Sequence, residues 1–232
     1  MDPTDIDAVL VAGATGGTGR EVLRRTGPRV DTVRALTRSP GATADLRAAG
    51  ADEVAVDDLL DPSDLAAAVE GVDAVISAVG STRSAVRSGP PFVDGAGNRA
   101  LLDAAVDAGV DAFVMESAIG VGPGPASPLA SAFGAFIGPL QEAKAEAEAA
   151  IREAPIRHTI LRPGVLTNGR RTGLVTTAEP GEKLWGTVSR ADVAWLMAAA
   201  PTTEGAADRT FEVVSTPRFP DRGVDVNWTL PR

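Results

Sequence analysis

The chain has 232 residues, 44% hydrophobic and 23% charged, which is enough apolar material for one α/β domain with a buried core. It has no cysteine, one histidine and a formal net charge of -9, which leaves no support for a disulfide framework, a metal site or a nucleic-acid partner. No apolar run reaches the ~18 residues of a membrane span, and the acidic opening MDPTDID lacks the order of a secretion signal, so a cytoplasmic protein away from membranes is expected.

Its lysines are Lys144 and Lys183, while Asp, Arg and Ala abound. That balance suits a halophilic protein, hydrated in concentrated salt where repulsion between carboxylates is screened. A GC-rich coding bias is the other source of arginine in place of lysine.

In chain order, residues 9–19, VLVAGATGGTG, read as an apolar strand running into Gly13, Gly16, Gly17 and Gly19, with a helical pattern directly behind. Backbone must come close to a diphosphate without a Cβ in the way, and the free N–H groups of the following helix favour negative charge. The spacing G-x-x-G-x-x-G is one residue wider at its first interval than the common dinucleotide fingerprint, so the strand before it and the helix formers after it carry the assignment. A glycine turn with no ligand is the alternative.

Strands are expected at 8–12, 32–37, 53–56, 74–79, 112–115, 156–161 and 210–214, and helices near 17–26, 42–49, 62–70, 92–108, 140–153 and 190–199. Apolar strands without polar alternation are covered on both faces, which predicts a doubly wound, mostly parallel seven-stranded sheet with helices on both sides, formed by residues 1–232 as one domain. Asp61 is the expected cap of the third helix, with Pro62 at its first position, and Gly50, Gly71 and Gly109 are expected as left-handed helix ends.

The Gly/Pro/Ser-rich stretches 80–91 and 118–139 follow the fourth and fifth strands, at the edge where ligands sit in such sheets. They are expected as substrate walls, together with 165–188, the second of them as a lid; plain connectors are the alternative. The tail 217–232 is expected across the surface or against a second copy.

About 20 residues after the glycine turn, where an NAD site places an acid on the ribose 2′-hydroxyl, stands Arg38. A guanidinium pairs with a 2′-phosphate that a carboxylate would repel, so NADP(H) is expected over NAD(H). Asp58 can accept from the adenine amino group or cap the next turn, and small residues at 77, 78 and 80 let backbone pass a ribose.

Together the strings VLVAGATGGTGREVL, VRALTRSP, DDLLDPSDLAAAVEGVDAVISAVG, VDGAGNRALLDAAVDAGVDAFVMESAIG, EAKAEAEAAI, HTILRPGVLTNG and SRADVAWLM resemble the atypical short-chain dehydrogenase/reductase family, in particular its NmrA-like and flavin-reductase-like members. The resemblance implies an NAD(P)-binding Rossmann fold with strand order 3-2-1-4-5-6-7. It implies Gly13, Thr15, Gly16, Gly17, Thr18 and Gly19 in the phosphate turn, Arg38 on the 2′-phosphate, and Asp58 with Leu59 at adenine. Ala78, Val79 and Gly80 would run along the ribose, with Pro163 and Gly164 near the nicotinamide.

Many members of that family use a serine with a tyrosine and lysine at i and i+4 of one helix. Ser117 and Lys144 fit the serine and lysine places, as catalytic candidates, but Leu140 stands where the tyrosine belongs and the chain has no tyrosine at all. Lys144 can still hold ribose hydroxyls and Ser117 can still bond a substrate oxygen. A solvated lysine and a serine bonded to nearby backbone are the plainer alternatives.

The expected function is therefore an NADPH-dependent oxidoreductase passing hydride to a small conjugated acceptor (quinone, flavin or enone) without a tyrosine acid. The alternative is a non-catalytic NmrA-like NADP(H)-binding redox sensor, and a sugar-nucleotide epimerase comes third because such relatives keep the tyrosine. The partner is a small-molecule substrate, and the protein is expected as a monomer or homodimer. His158 is expected to pack within its strand, Glu116 to point away from Ser117, and Asp192 to brace a helix start. Phe133, Phe136 or Trp185 over the nicotinamide face would favour the sensor.

Overall fold

The structure, a computed structural model, describes residues 6–122, 128–181, 186–215 and 223–231, with backbone only at 128–137. Its strands are β1 (Ala8–Ala12), β2 (Thr32–Thr37), β3 (Glu53–Val56), β4 (Ala74–Ser77), β5 (Ala112–Glu116), β6 (Arg157–Pro163), β7 (Val165–Thr167), β8 (Thr176–Ala178), β9 (Thr187–Ser189), β10 (Arg209–Val214) and β11 (Gly223–Val224). Its helices are α1 (Gly17–Thr26), α2 (Thr43–Ala48), α3 (Leu65–Val69), α4 (Arg83–Ser88), α5 (Asn98–Asp107), α6 (Pro128–Glu153) and α7 (Arg190–Ala199), with a π-helical turn Val93–Gly97 leading into α5.

Alternation along each strand divides the core in two. In β1, Val9 and Val11 join Val22, Leu23 and Leu46 of α1 and α2 and Val193 and Met197 of α7 on one face. Leu10 and Ala12 join Leu65, Val69, Leu101, Leu102, Ala147 and Ile151 of α3, α5 and α6 on the other. Burial on both sides is why the strands carry no polar alternation.

The main sheet has the order β11-β8-β10-β6-β5-β4-β1-β2-β3. All neighbours from β3 to β10 are parallel, which is the Rossmann order the resemblance implied, with β10 as its seventh strand. The sheet is nine-stranded rather than seven-stranded, because β8 pairs antiparallel with β10 and β11 antiparallel with β8. Strands of two or three residues are shorter than the window in which a period of two can be read, and the same holds for β7 and β9, which pair with each other.

Other boundaries also differ from those expected. Helix α3 is capped by Asp64, whose Oδ1 accepts from the Ala67 N–H at 3.1 Å; Asp61, the expected cap, instead bridges to Asp58. The stretch 80–91 contains α4, whose first turn is capped by Thr82. The stretch 118–139 gives way at Pro128 to α6, which runs 26 residues with Pro139 inside it. Proline is a strong breaker in sequence because it removes one helical hydrogen bond, yet α6 continues through it. Gly50, Gly71 and Gly109 do have positive φ, at 111°, 69° and 71°.

Registers place Ala12 opposite Ser77, Ser77 opposite Met115 and Glu116 opposite Leu161, so the carboxyl ends of β1, β4, β5 and β6 form one edge. The chain winds in opposite directions from β1, to β2 on one side and β4 on the other. The crevice between β1 and β4 is therefore the switch point at which such sheets take ligands.

Candidate functional site: the strand-end cleft

Helix α1 begins behind Gly16, which caps it with main chain only, and its first turn carries no acid. Its leading N–H groups thus have no side-chain acceptor and face the edge of the sheet, which suits an anion. The glycines do not all serve the same purpose. Gly13 has φ +71°, and a Cβ there would sit 2.4 Å from the Ala78 carbonyl oxygen; one at Gly19 would sit 2.3 Å from that of Gly13. Both are required by contact between chain segments. Gly16 is tighter only against Gly13 O, at 3.1 Å, and leaves its outer side open.

From this turn a cleft of about 370 Å³ runs past the ends of β2, β3 and β4. Of the residues expected at the cofactor, Gly13, Thr15, Gly16, Arg38, Asp58, Leu59, Ala78, Val79 and Gly80 line it, and Ser81, Thr82 and Ala85 from the 80–91 stretch close one side. Gly17, Thr18, Gly19, Lys144, Pro163 and Gly164 are not among its walls. Arg38 is exposed at its rim.

Asp58 spends its Oδ1 on the Leu60 N–H at 3.0 Å, the turn-capping role. Its neighbour Asp57, which the sequence reading passed over, organises the whole 57–64 loop. The Asp57 carboxylate accepts from the N–H groups of Asp58, Ser63 and Asp64 at 2.9 Å each and from the Ser63 hydroxyl at 3.0 Å. Slight burial works to raise its pKa, but the Ser63 and Asp64 donors outweigh that and hold it below the ordinary value.

Farther along the edge the side chains are buried and paired. The Lys144 ammonium lies 2.7 Å from Asp94 Oδ1, and Asp94 Oδ2 accepts from the Ser81 N–H at 2.7 Å, tying α6 to the cleft wall. Ser117 donates to Glu148 Oε1 at 2.6 Å. Glu148 also takes Arg162 in a two-pronged contact, Nε to Oε1 at 2.9 Å and Nη2 to Oε2 at 2.5 Å, and Arg152 at 3.0 Å. Burial presses the Glu148 pKa upward, but Arg162, Ser117 and Arg152 together bring it below the usual carboxylate value. Ser117, just after β5, and Lys144, on α6, thus bond different carboxylates, Glu148 and Asp94.

Glu116 points the opposite way, as expected, and accepts from Thr18 Oγ1 at 3.0 Å beneath the first turn of α1. Burial pushes its pKa up to about 7, with Lys144, the Thr18 hydroxyl and Arg190 only partly opposing. Gly164 donates its N–H to Val213 O at 2.9 Å, and a Cβ on it would stand 2.3 Å from Gly186 O, so a passing chain accounts for this glycine.

His158 is buried low on β6, with Nδ1 3.3 Å from Asp208 Oδ1 and far from the strand's carboxyl end. Asp192 accepts from Ser189 Oγ at 2.7 Å and from the Thr172 and Gly173 N–H groups at 3.0 Å, bracing α7 and the loop before β8. Trp185, residues 123–127 of the expected lid, residues 217–222 and 232 of the expected tail 217–232, and the Phe133 and Phe136 side chains lie outside the described residues.

Asp94, Glu148 and Arg162 escaped the sequence reading. One signal was available for Glu148: it stands four residues after Lys144 on a helical pattern, hence on the same face. Nothing local marks Asp94 or Arg162.

A glycine cradle at the switch point, bare helix amides and a cation at the end of the second strand define a dinucleotide-binding Rossmann protein. Residues 13–204 match the NAD(P)H-binding family, and the chain belongs to it; an atypical short-chain dehydrogenase/reductase of the NmrA-like kind fits. It is 31% identical over 206 residues to the uncharacterized sugar epimerase YhfK of Bacillus subtilis, covering 88% of this chain and 92% of that one. It is 31% identical over 156 residues to an NAD(P)H azoreductase of Xenophilus azovorans, covering 67% of this chain and 47% of that one. Among solved structures, a putative NAD-dependent epimerase/dehydratase of Bacillus halodurans superposes with TM-score 0.80 at 26% identity, covering 92% of this chain and 96% of that one. ChuY, an anaerobillin reductase of Escherichia coli, gives 0.75 at 25%, covering 92% and 99%. No helix among the described residues is long and apolar enough to cross a membrane.

Proposed function

We propose that this protein is an NADP(H)-dependent oxidoreductase that passes hydride to a small conjugated acceptor such as a quinone, flavin or enone. The observation that carries the reading is Arg38, exposed at the rim of the cleft where an NAD site would place an acid. An azoreductase and an anaerobillin reductase among the similar proteins support an acceptor of that kind.

The α1 amides would hold the diphosphate, Arg38 the 2′-phosphate, Ala78 to Gly80 the ribose, and Lys144 a ribose hydroxyl, with Pro163 and Gly164 beside the nicotinamide. When bound, NADPH supplies the hydride. Leu140, half-buried one turn before Lys144, offers no proton, so solvent or the acceptor itself must provide it. NADPH oxidation across quinones, flavins and enones tests the activity, and absence of turnover with all of them would defeat it. Arg38→Asp should weaken NADPH at least tenfold and leave NADH nearly unchanged, since it touches only the 2′-phosphate; equal effects on both would remove the NADP preference.

One observation favours the second reading, a dinucleotide-binding redox sensor. The Ser117 hydroxyl is committed to Glu148 and the Lys144 ammonium to Asp94, so neither group is free in this arrangement. Tight NADP+ binding with no turnover would support the sensor, whereas loss of a measured activity in Ser117→Ala would dismiss it.

We also read the chain as a halophilic, cytoplasmic monomer or homodimer on its composition. Circular dichroism after dialysis into low salt, and sizing in molar salt, would test this.

A further inference from the structure

Arg190 opens α7, the helix packed along α1, and its side chain lies against the glycine turn. A Cβ built on Gly17 would meet Arg190 Cδ at 2.7 Å, Nε at 3.0 Å and Cζ at 3.8 Å, so the guanidinium rests on the first residue of α1. Gly17 leaves the space that this arginine fills. Its Nη1 donates to Asn168 Oδ1 at 2.7 Å, which fixes the end of the side chain; among the described residues no carboxylate lies within ion-pair distance of it, and buried Glu116 feels its charge only through space.

An arginine held on a neutral amide against the glycine turn and beside a helix N-terminus, with no carboxylate in direct contact among the described residues, is a cation free to take an anionic ligand there. We propose that Arg190 is a binding residue for the diphosphate of the dinucleotide, closing over the glycine turn from the α7 side while Arg38 reads the other end. This rests on the reading that a dinucleotide occupies the cleft.

Because the diphosphate is common to both nicotinamide cofactors, Arg190 should act on them alike. Isothermal titration at one ionic strength should show Arg190→Ala weakening NADPH and NADH by the same factor, about tenfold for a lost charged hydrogen bond, with Arg190→Lys retaining part of the affinity. Gly17→Ala, which displaces the side chain, should weaken both in the same direction. Arg38→Asp serves as the contrast, selective for NADPH. Unchanged affinity in Arg190→Ala, or a loss confined to NADPH, would overturn the proposal. If Arg190→Ala loses its circular dichroism signal, Arg190→Gln at constant melting temperature decides between the same two results. Wild-type protein that binds neither dinucleotide would sink the cofactor reading itself, and this inference with it.

Discussion

Along one sheet edge the molecule changes character between its two halves. Around Gly13, Arg38 and Ala78 the edge is an open cleft of main chain and small side chains; around Glu116, Lys144 and Glu148 it is closed by paired charges drawn from four separate elements. The open half is defined by what must be absent, since a Cβ at Gly13 would strike the end of β4. The closed half is defined by partners that must be present. Even its two buried glutamates differ: Glu148 is hydrogen-bonded by two arginines and held below the usual value, whereas Glu116, hydrogen-bonded by Thr18, is pushed up by burial against the weaker pull of Lys144 and Arg190.

The largest effect should come from breaking the closed half. Glu148→Ala strands a buried Arg162 and frees Ser117, and should cost about 3–5 kcal/mol, read as a shift of the urea midpoint. A loss below 1 kcal/mol would mean that Arg162 finds water and that the network is not a unit. The open half should break more gently. Gly13→Ala, at positive φ and against the Ala78 carbonyl, should lose about 1–3 kcal/mol and dinucleotide affinity together; stability unchanged with affinity lost would assign the glycine to the ligand alone.

The two glutamates give opposite pH slopes. Glu116 has a folded pKa raised from 4.5 to about 7, so the folded state binds the extra proton. Its contribution is complete below pH 4.5 and is lost as pH rises through about 7; Glu116→Gln should flatten that window in a stability-versus-pH series. Glu148, lowered, contributes above 4.5 and loses its contribution as pH falls through its folded value. Identical slopes in wild type and Glu116→Gln between pH 4.5 and 7 would show that Glu116 is solvated. Smallest is Asp64→Ala, which removes the cap of the five-residue helix α3 and should cost about 1 kcal/mol by thermal melting.

How legible each part was follows the same division. The open end of the edge could be read because its features are local: a glycine where φ is positive, a helix behind it, a cation a fixed distance on. The boundaries that moved depend on contacts that residue type and short spacing do not reveal. The sixth helix was expected to start at residue 140 but begins at Pro128 and runs through Pro139, and Asp61 was the expected cap until Asp57 folded the 57–64 loop and left Asp64 in place. The catalytic candidates Ser117 and Lys144 were named without the carboxylates that engage them, because Asp94 and Glu148 lie 50 and four residues from Lys144 and only one of those separations leaves a helical trace.

By itself the sequence determined the parallel α/β layering, the glycine corner and the arginine after the second strand, because strand burial, backbone freedom and charge sign are properties of residues and short spacings. Only the tertiary structure decided which side chains share the buried end of the edge. Ion pairing and desolvation depend on distances in space, and those are set by the sheet order that brings β5, β6, α6 and the turn before α5 together.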